Sequence, residues 1–196
     1  GYSLEIVDPN GGCTDSQNWQ ASTNELGGTP GFQNSVYRVG EDGTSPLIDQ
    51  FEKNSTSEFT IIFNEAMDSL SLVNSTFYVP GYPVDELTVS GDLHEVLIVK
   101  LIEELPLGAY YSFSISGAKD CTGTSMSDTT FVVGLGKEPL PGDLLITEIM
   151  ADPDPQVGLP SAEYIEIFNN TDAPIALDSV RFRDDNSSRL IGDVVI

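Results

Sequence analysis

Positive charge is the scarcest property of this sequence: 8 Lys and Arg face 31 Asp and Glu, a formal net charge of −23 over 196 residues. A surface of that sign repels phosphate backbones and anionic leaflets at moderate salt, so nucleic acid is not an expected partner. Long apolar runs are missing too. The longest, "VLIVKLI" at 96 to 102, is broken by Lys100 and falls far short of the roughly 20 residues a bilayer helix needs, so no membrane insertion is expected. A single histidine, His94, argues against histidine-based nucleophilic catalysis, and no Gly-x-Ser-x-Gly elbow accompanies it. The stretch "GLGK" at 134 to 137 lacks the Gly-Lys-Ser/Thr ending of a phosphate loop. Cysteine occurs only as Cys13 and Cys121, without the paired spacing that holds zinc. No basic stretch followed by an apolar run opens the chain, so any secretion signal is expected upstream of it or already removed.

What is abundant is period-two alternation. Tyr2, Leu4 and Ile6 alternate with Ser3 and Glu5, and Tyr111, Phe113 and Ile115 alternate with serines, each pattern predicting a strand with its apolar side buried. Further strands are expected at 59 to 63, 77 to 79, 86 to 90, 95 to 102, 129 to 133, 144 to 149, 164 to 169, 180 to 183 and in the final Val-Val-Ile. Only 65 to 73, "EAMDSLSLV", suits a helical turn or two, and it is too short to hold a helix without tertiary contacts. The fold class is therefore all-β. Gly and Pro concentrate at 37 to 46 and 134 to 143, which marks two linkers. Between them, 44 to 137 has the length and strand spacing of an Ig-like β-sandwich. The flanks, 1 to 38 and 143 to 196, are each too small to bury a core alone.

The middle segment resembles the bacterial Ig-like domains of surface-layer and adhesin proteins, through the strand and turn "FTIIFNEAMD" and the stretch "LPLGAYYSFSISGAKDCTG". The flanks resemble a second family, the lamin-tail domain, an Ig-like sandwich that also occurs in secreted bacterial proteins. Residues 144 to 182, with Ile-Thr-Glu-Ile-Met-Ala-Asp-Pro and Glu-Tyr-Ile-Glu-Ile-Phe-Asn, are similar to its opening strands. Residues 1 to 36, with "NWQASTNELGGTPGFQN" at 18 to 34, are similar to its closing strand and final loop. The order, closing half, Ig-like domain, opening half, implies a section of a modular array. The strands expected between the halves are missing. Three arrangements follow: pairing of the halves within one chain, which is the expectation, pairing between neighbouring molecules, or partial order with open strand edges.

Few residues suggest chemistry. Glu148, Asp152 and Asp154 form the tightest carboxylate group, and hard oxygen ligands suit calcium. Alternating Asp-Pro is equally a turn device, and the 12-residue Asp-x-Asp-x-Asp-Gly calcium loop is absent. Asp120 and Asp128 form a second, lesser carboxylate pair. Cys13 and Cys121 are either a disulfide or two idle thiols; bridged, they would close a loop of about 109 residues and stabilise by roughly 4 to 5 kcal/mol. Trp19 is expected as a core or lid residue rather than, with Tyr82, a glycan platform. The expectation is a non-catalytic structural or display module, extracellular or at a bacterial cell surface, whose partners are neighbouring domains of its parent and a cell-surface protein or glycan. A calcium- or glycan-binding adhesion module and an accessory domain of a secreted hydrolase are the alternatives.

Overall fold

The structure is a computed structural model and describes residues 1–9, 18–38, 43–158, 161–183, 187–192 and 194–196. Those residues form β1 (Leu4–Ile6), β2 (Trp19–Ala21), β3 (Ile48–Lys53), β4 (Glu58–Phe63), α1 (Ser69–Val73), β5 (Thr76–Tyr78), β6 (Val84–Ser90) and β7 (Val96–Leu101). They continue as β8 (Ala109–Ser116), β9 (Thr129–Leu135), β10 (Leu144–Met150), β11 (Tyr164–Asn169), β12 (Arg181–Arg183) and β13 (Ser188–Leu190). They divide into two compact units: Gly1–Glu104 with Ser112–Phe131, and Leu105–Tyr111 with Val132–Ile196. Residues 39–42 of the first predicted linker lie outside the described residues.

The first unit is built on a sandwich. One sheet runs β3-β4-β7-β6 and the other β5-β8-β9, seven strands in two layers, the Ig-like pattern. Alternation decides what meets between the layers: Phe59, Ile61 and Phe63 of β4, Leu97, Val99 and Leu101 of β7, and Phe113 and Ile115 of β8 are all buried. Phe113 is the hub, with ring centroids 5.1 Å from Phe51, 5.1 Å from Phe59, 5.9 Å from Phe77 and 5.7 Å from Phe131. Helix α1 forms where Asp68 caps it, its Oδ1 accepting from the Leu70 and Ser71 amides at 2.8 and 3.1 Å.

The N-terminal hairpin reverses the expected burial. Register pairs Leu4 with Ala21 and Ile6 with Trp19, so Leu4, Ile6, Trp19 and Ala21, together with Tyr2, share one face. The opposite face, carrying Glu5, is the buried one. The reason is the 24 to 35 loop, whose Thr29 and Ser35 donors close over Glu5 and leave the apolar face open. Trp19 is thus exposed rather than a core residue.

In the second unit β10 pairs with β11 and β12 with β13, each pair a two-stranded antiparallel sheet. A bulge between Ile146 and Glu148 is what the apolar spacing requires. Leu144 and Ile146 are two apart, but Ile149 is three beyond Ile146, and one extra residue returns it to the same face. Leu144, Ile146, Ile149, Ile165 and Ile167 therefore share one face, with Asn169 opposite Leu144 at its end. Leu105, Leu135, Ile175 and Leu177 are buried in this unit, with Gly136 and Pro174 beside them. The predicted linker at 134 to 143 begins as strand, and Gly134 and Gly136 serve contact rather than flexibility. A Cβ on Gly136 would stand 2.5 Å from the Ala176 nitrogen, at the point where Lys137 bridges Ile175 in parallel. The final Val-Val-Ile forms an isolated bridge, Val195 with Ala176, rather than the predicted strand, and Ile196 and Ile175 exchange backbone hydrogen bonds of 2.9 and 3.0 Å.

Candidate functional site

The carboxylates singled out in the sequence do not gather. Glu148 lies on β10 beside its cross-strand partner Glu166, two like charges directly opposed, which destabilises a ladder unless each finds a donor. Each does: the Tyr164 hydroxyl donates to Glu148, and the Thr147 hydroxyl to Glu166. The bond to Glu148, then partial burial and the two carboxylate charges, raise the Tyr164 hydroxyl above its ordinary pKa. Asp152 instead accepts the Asp154 amide at 3.1 Å, the turn device that alternating Asp-Pro provides. Among the described residues no group of three or more Asp, Glu, His or Cys side chains converges as a metal site.

Asp120 is fully buried in the loop after β8. Its Oδ1 accepts from the Thr122 amide at 2.8 Å, the Thr122 hydroxyl at 2.9 Å and the Thr124 amide at 2.7 Å, which fixes the turn. Asp128 is exposed. Cys121, between them, is disulfide-bonded; Cys13 lies outside the described residues. His94 is an exposed turn residue at φ 56°, its amide donating to the Gly91 carbonyl at 3.2 Å.

A concavity of about 860 Å³ lies over the N-terminal hairpin and is lined by Leu4, Glu5, Leu26, Thr29, Phe32 and Asn34 among others. Its volume is that of a small-molecule site. Its one ionisable group is already engaged. Glu5, 5% exposed, accepts from the Thr29 hydroxyl at 2.7 Å and from the Ser35 amide and hydroxyl at 2.7 and 2.8 Å. Burial pushes its carboxyl up, but the hydroxyls of Thr29, Ser35 and Ser22 and the Ser35 amide outweigh burial and hold it at about 2. Glu5 is a loop clamp with no free oxygen to offer a ligand. Sequence reasoning missed this residue, because a Glu in an alternating strand reads as the solvent side. The signal available was the Ser/Thr-rich loop of 22 to 35 downstream.

No family model matches the chain, and no curated protein matches it. Solved structures of the bacterial S-layer protein SbsC are similar over part of it. Its N-terminal part shares 19% identity across 54% of this chain and 26% of that one, with a TM-score of 0.41. Its domains 1–6 share 18% identity across 54% of this chain and 16% of that one, with a TM-score of 0.42. This chain spans about a quarter or less of the length of those structures.

Proposed function

We propose that the chain is a non-catalytic structural or display module of a large secreted or cell-surface bacterial protein. In this reading 44 to 137 is the Ig-like domain, and 1 to 38 and 143 to 196 are the closing and opening parts of lamin-tail-like domains. The observation that carries it is how the polar side chains are engaged. Glu5, Asp68 and Asp120 each hold backbone amides or hydroxyls that shape a loop or a helix start, rather than facing a shared reaction centre. The disulfide at Cys121 supports an oxidising, extracytoplasmic setting, and its proposed partner is Cys13. Its partners in this reading are the neighbouring domains of its parent chain.

Peptide mapping of material released by protease from intact source cells tests the proposal. The expected result is peptides of this chain in the released fraction, accompanied by further β-domains of the same parent. Peptides confined to the cytosolic fraction would sink it. Catalytic-domain peptides from the same parent would move the assignment to an accessory domain of a secreted hydrolase.

A further inference from the structure

We infer that Asn54 is a glycosylation site, its amide nitrogen carrying an oligosaccharide transferred from a lipid-linked glycosyl pyrophosphate. The inference rests on the secreted or cell-surface reading above, because such donors present their sugar outside the cytoplasm. The sequence holds four Asn-x-Ser/Thr acceptor motifs, at Asn54, Asn74, Asn169 and Asn186, the last outside the described residues. Folding decides among the other three. An acceptor asparagine and the hydroxyl two residues on must reach the transferase together, so the motif has to lie on exposed, unpaired backbone. Asn169 fails this, because it ends β11 half-buried, with Nδ2 donating to the Ala173 and Ile196 carbonyls, both at 2.8 Å, and Oδ1 accepting the Thr171 hydroxyl at 2.8 Å. Asn74 fails it too. It is the C-cap of α1, with Nδ2 donating to the Leu70 carbonyl at 2.8 Å; Ser75 is buried, and Thr76 already stands in β5, paired with Ser116.

Asn54, Ser55 and Thr56 lie wholly in the turn between β3 and β4. Asn54 and Ser55 are exposed, and the Thr56 hydroxyl has no hydrogen-bond partner among the described residues. The Asn54 Nδ2 donates to Glu58 Oε1 at 3.1 Å and to Thr60 Oγ1 at 2.9 Å, side chains of the neighbouring strand rather than main chain. Transfer consumes one of its two N–H groups. The nitrogen bonds the anomeric carbon as the bond from that carbon to the pyrophosphate oxygen breaks, and the displaced proton passes to a base of the transferase. The second N–H keeps the bond to Thr60. Glu52, two residues before Asn54 and exposed, adds the acidic side chain that bacterial acceptor sites carry at that position. β3 is also an edge strand of its sheet, and a bulky solvated group at its end hinders pairing of that edge with another chain.

Chymotryptic mapping of the natural protein from its source cells tests this. Cleavage after Phe51 and Phe59 gives the peptide Glu52–Phe59, in which Asn54 is the one asparagine. That peptide is expected to be heavier than its sequence by a glycan, placed on Asn54 by electron-transfer fragmentation, while peptides spanning Asn74 and Asn169 keep their sequence masses. Produced in the same cells, Asn54→Gln and Thr56→Ala should lose the added mass entirely, and Thr56→Ser should keep it. An unmodified Glu52–Phe59 peptide in the fraction released from the cell surface overturns the inference and leaves the surface assignment standing. So does a mass on Ser55, Thr56 or Ser57, a glycan on Asn74 or Asn169 in place of Asn54, or a Thr56→Ala variant that stays modified. Peptides confined to the cytosol overturn both.

Discussion

Glycine at 136 occupies a position that no other residue fits. A Cβ there would lie 2.5 Å from the nitrogen and 2.9 Å from the Cα of Ala176, and backbone cannot swing aside as a side chain would. The two strands are held at that point by Lys137 N–H to the Pro174 carbonyl at 3.1 Å and Ala176 N–H to the Lys137 carbonyl at 2.9 Å. Gly136→Ala is expected to destabilise by about 1 to 3 kcal/mol or more, the range for overpacking; urea unfolding followed by circular dichroism measures it, and an unchanged midpoint would contradict the close approach. Glu5 gives a second prediction. Its folded carboxyl sits at about 2 against an ordinary 4.5, so the unfolded chain takes up the proton first as pH drops. The stability it contributes is complete above about pH 4.5 and is lost as pH falls toward 2. The difference in melting temperature between wild type and Glu5→Gln should hold steady above pH 4.5 and shrink below it. Parallel curves down to pH 2 would show that the clamp does not operate.

Strands rather than residues show how far sequence patterns reach. The alternation in β8 predicted both the strand and the buried side, because in a two-layer sandwich the apolar row has one place to go, whereas β4 and β7 read as strands with no side assigned. In β1 the same alternation located the strand and mistook its burial, since a loop rich in hydroxyl donors stabilises a carboxylate well enough to turn the polar row inward. β3 was invisible for a related reason. "IDQFEK" carries polar residues at most positions and contributes mainly Phe51, which packs 5.0 Å from Phe131. β2 and β13, three residues each, are too short for any period to show. The bulge in β10 was readable in principle, as an apolar spacing of three inside a spacing of two. It gives an element-scale prediction: deleting Thr147 removes the extra residue and leaves Ile146 and Ile149 two apart, on one face of a regular ladder with the register against β11 kept. Hydrogen exchange across Ile149 to Met150 and Tyr164 to Ile165 should keep its protection, as should that of β3, β4 and β7. Loss of protection in β10 would mean that Thr147 is not the extra residue of the bulge.

Across the whole molecule the largest electrostatic quantity is the net charge of −23. Among the described residues two ion pairs offset it, Lys100 with Asp85 at 3.3 Å and Lys137 with Asp143 at 3.5 Å. Both are partly solvated, and pairs of that kind contribute about 0 to 1 kcal/mol each. Repulsion among the remaining carboxylates is individually weak but numerous and long-ranged, acting over about 30 Å at 0.01 M salt and about 8 Å at 0.15 M. Salt therefore relieves more than it weakens. The melting temperature of the chain should rise as sodium chloride is increased over that range, and a fall would show that attractive pairs dominate. Calcium separates screening from binding. At matched ionic strength a screening effect makes calcium and magnesium equivalent, as expected where Glu148 is bonded to Tyr164 and Asp152 to the Asp154 amide. A rise specific to calcium, abolished by chelator and by Asp152→Asn, would instead assign a bound ion to that loop and make the module a calcium-dependent one.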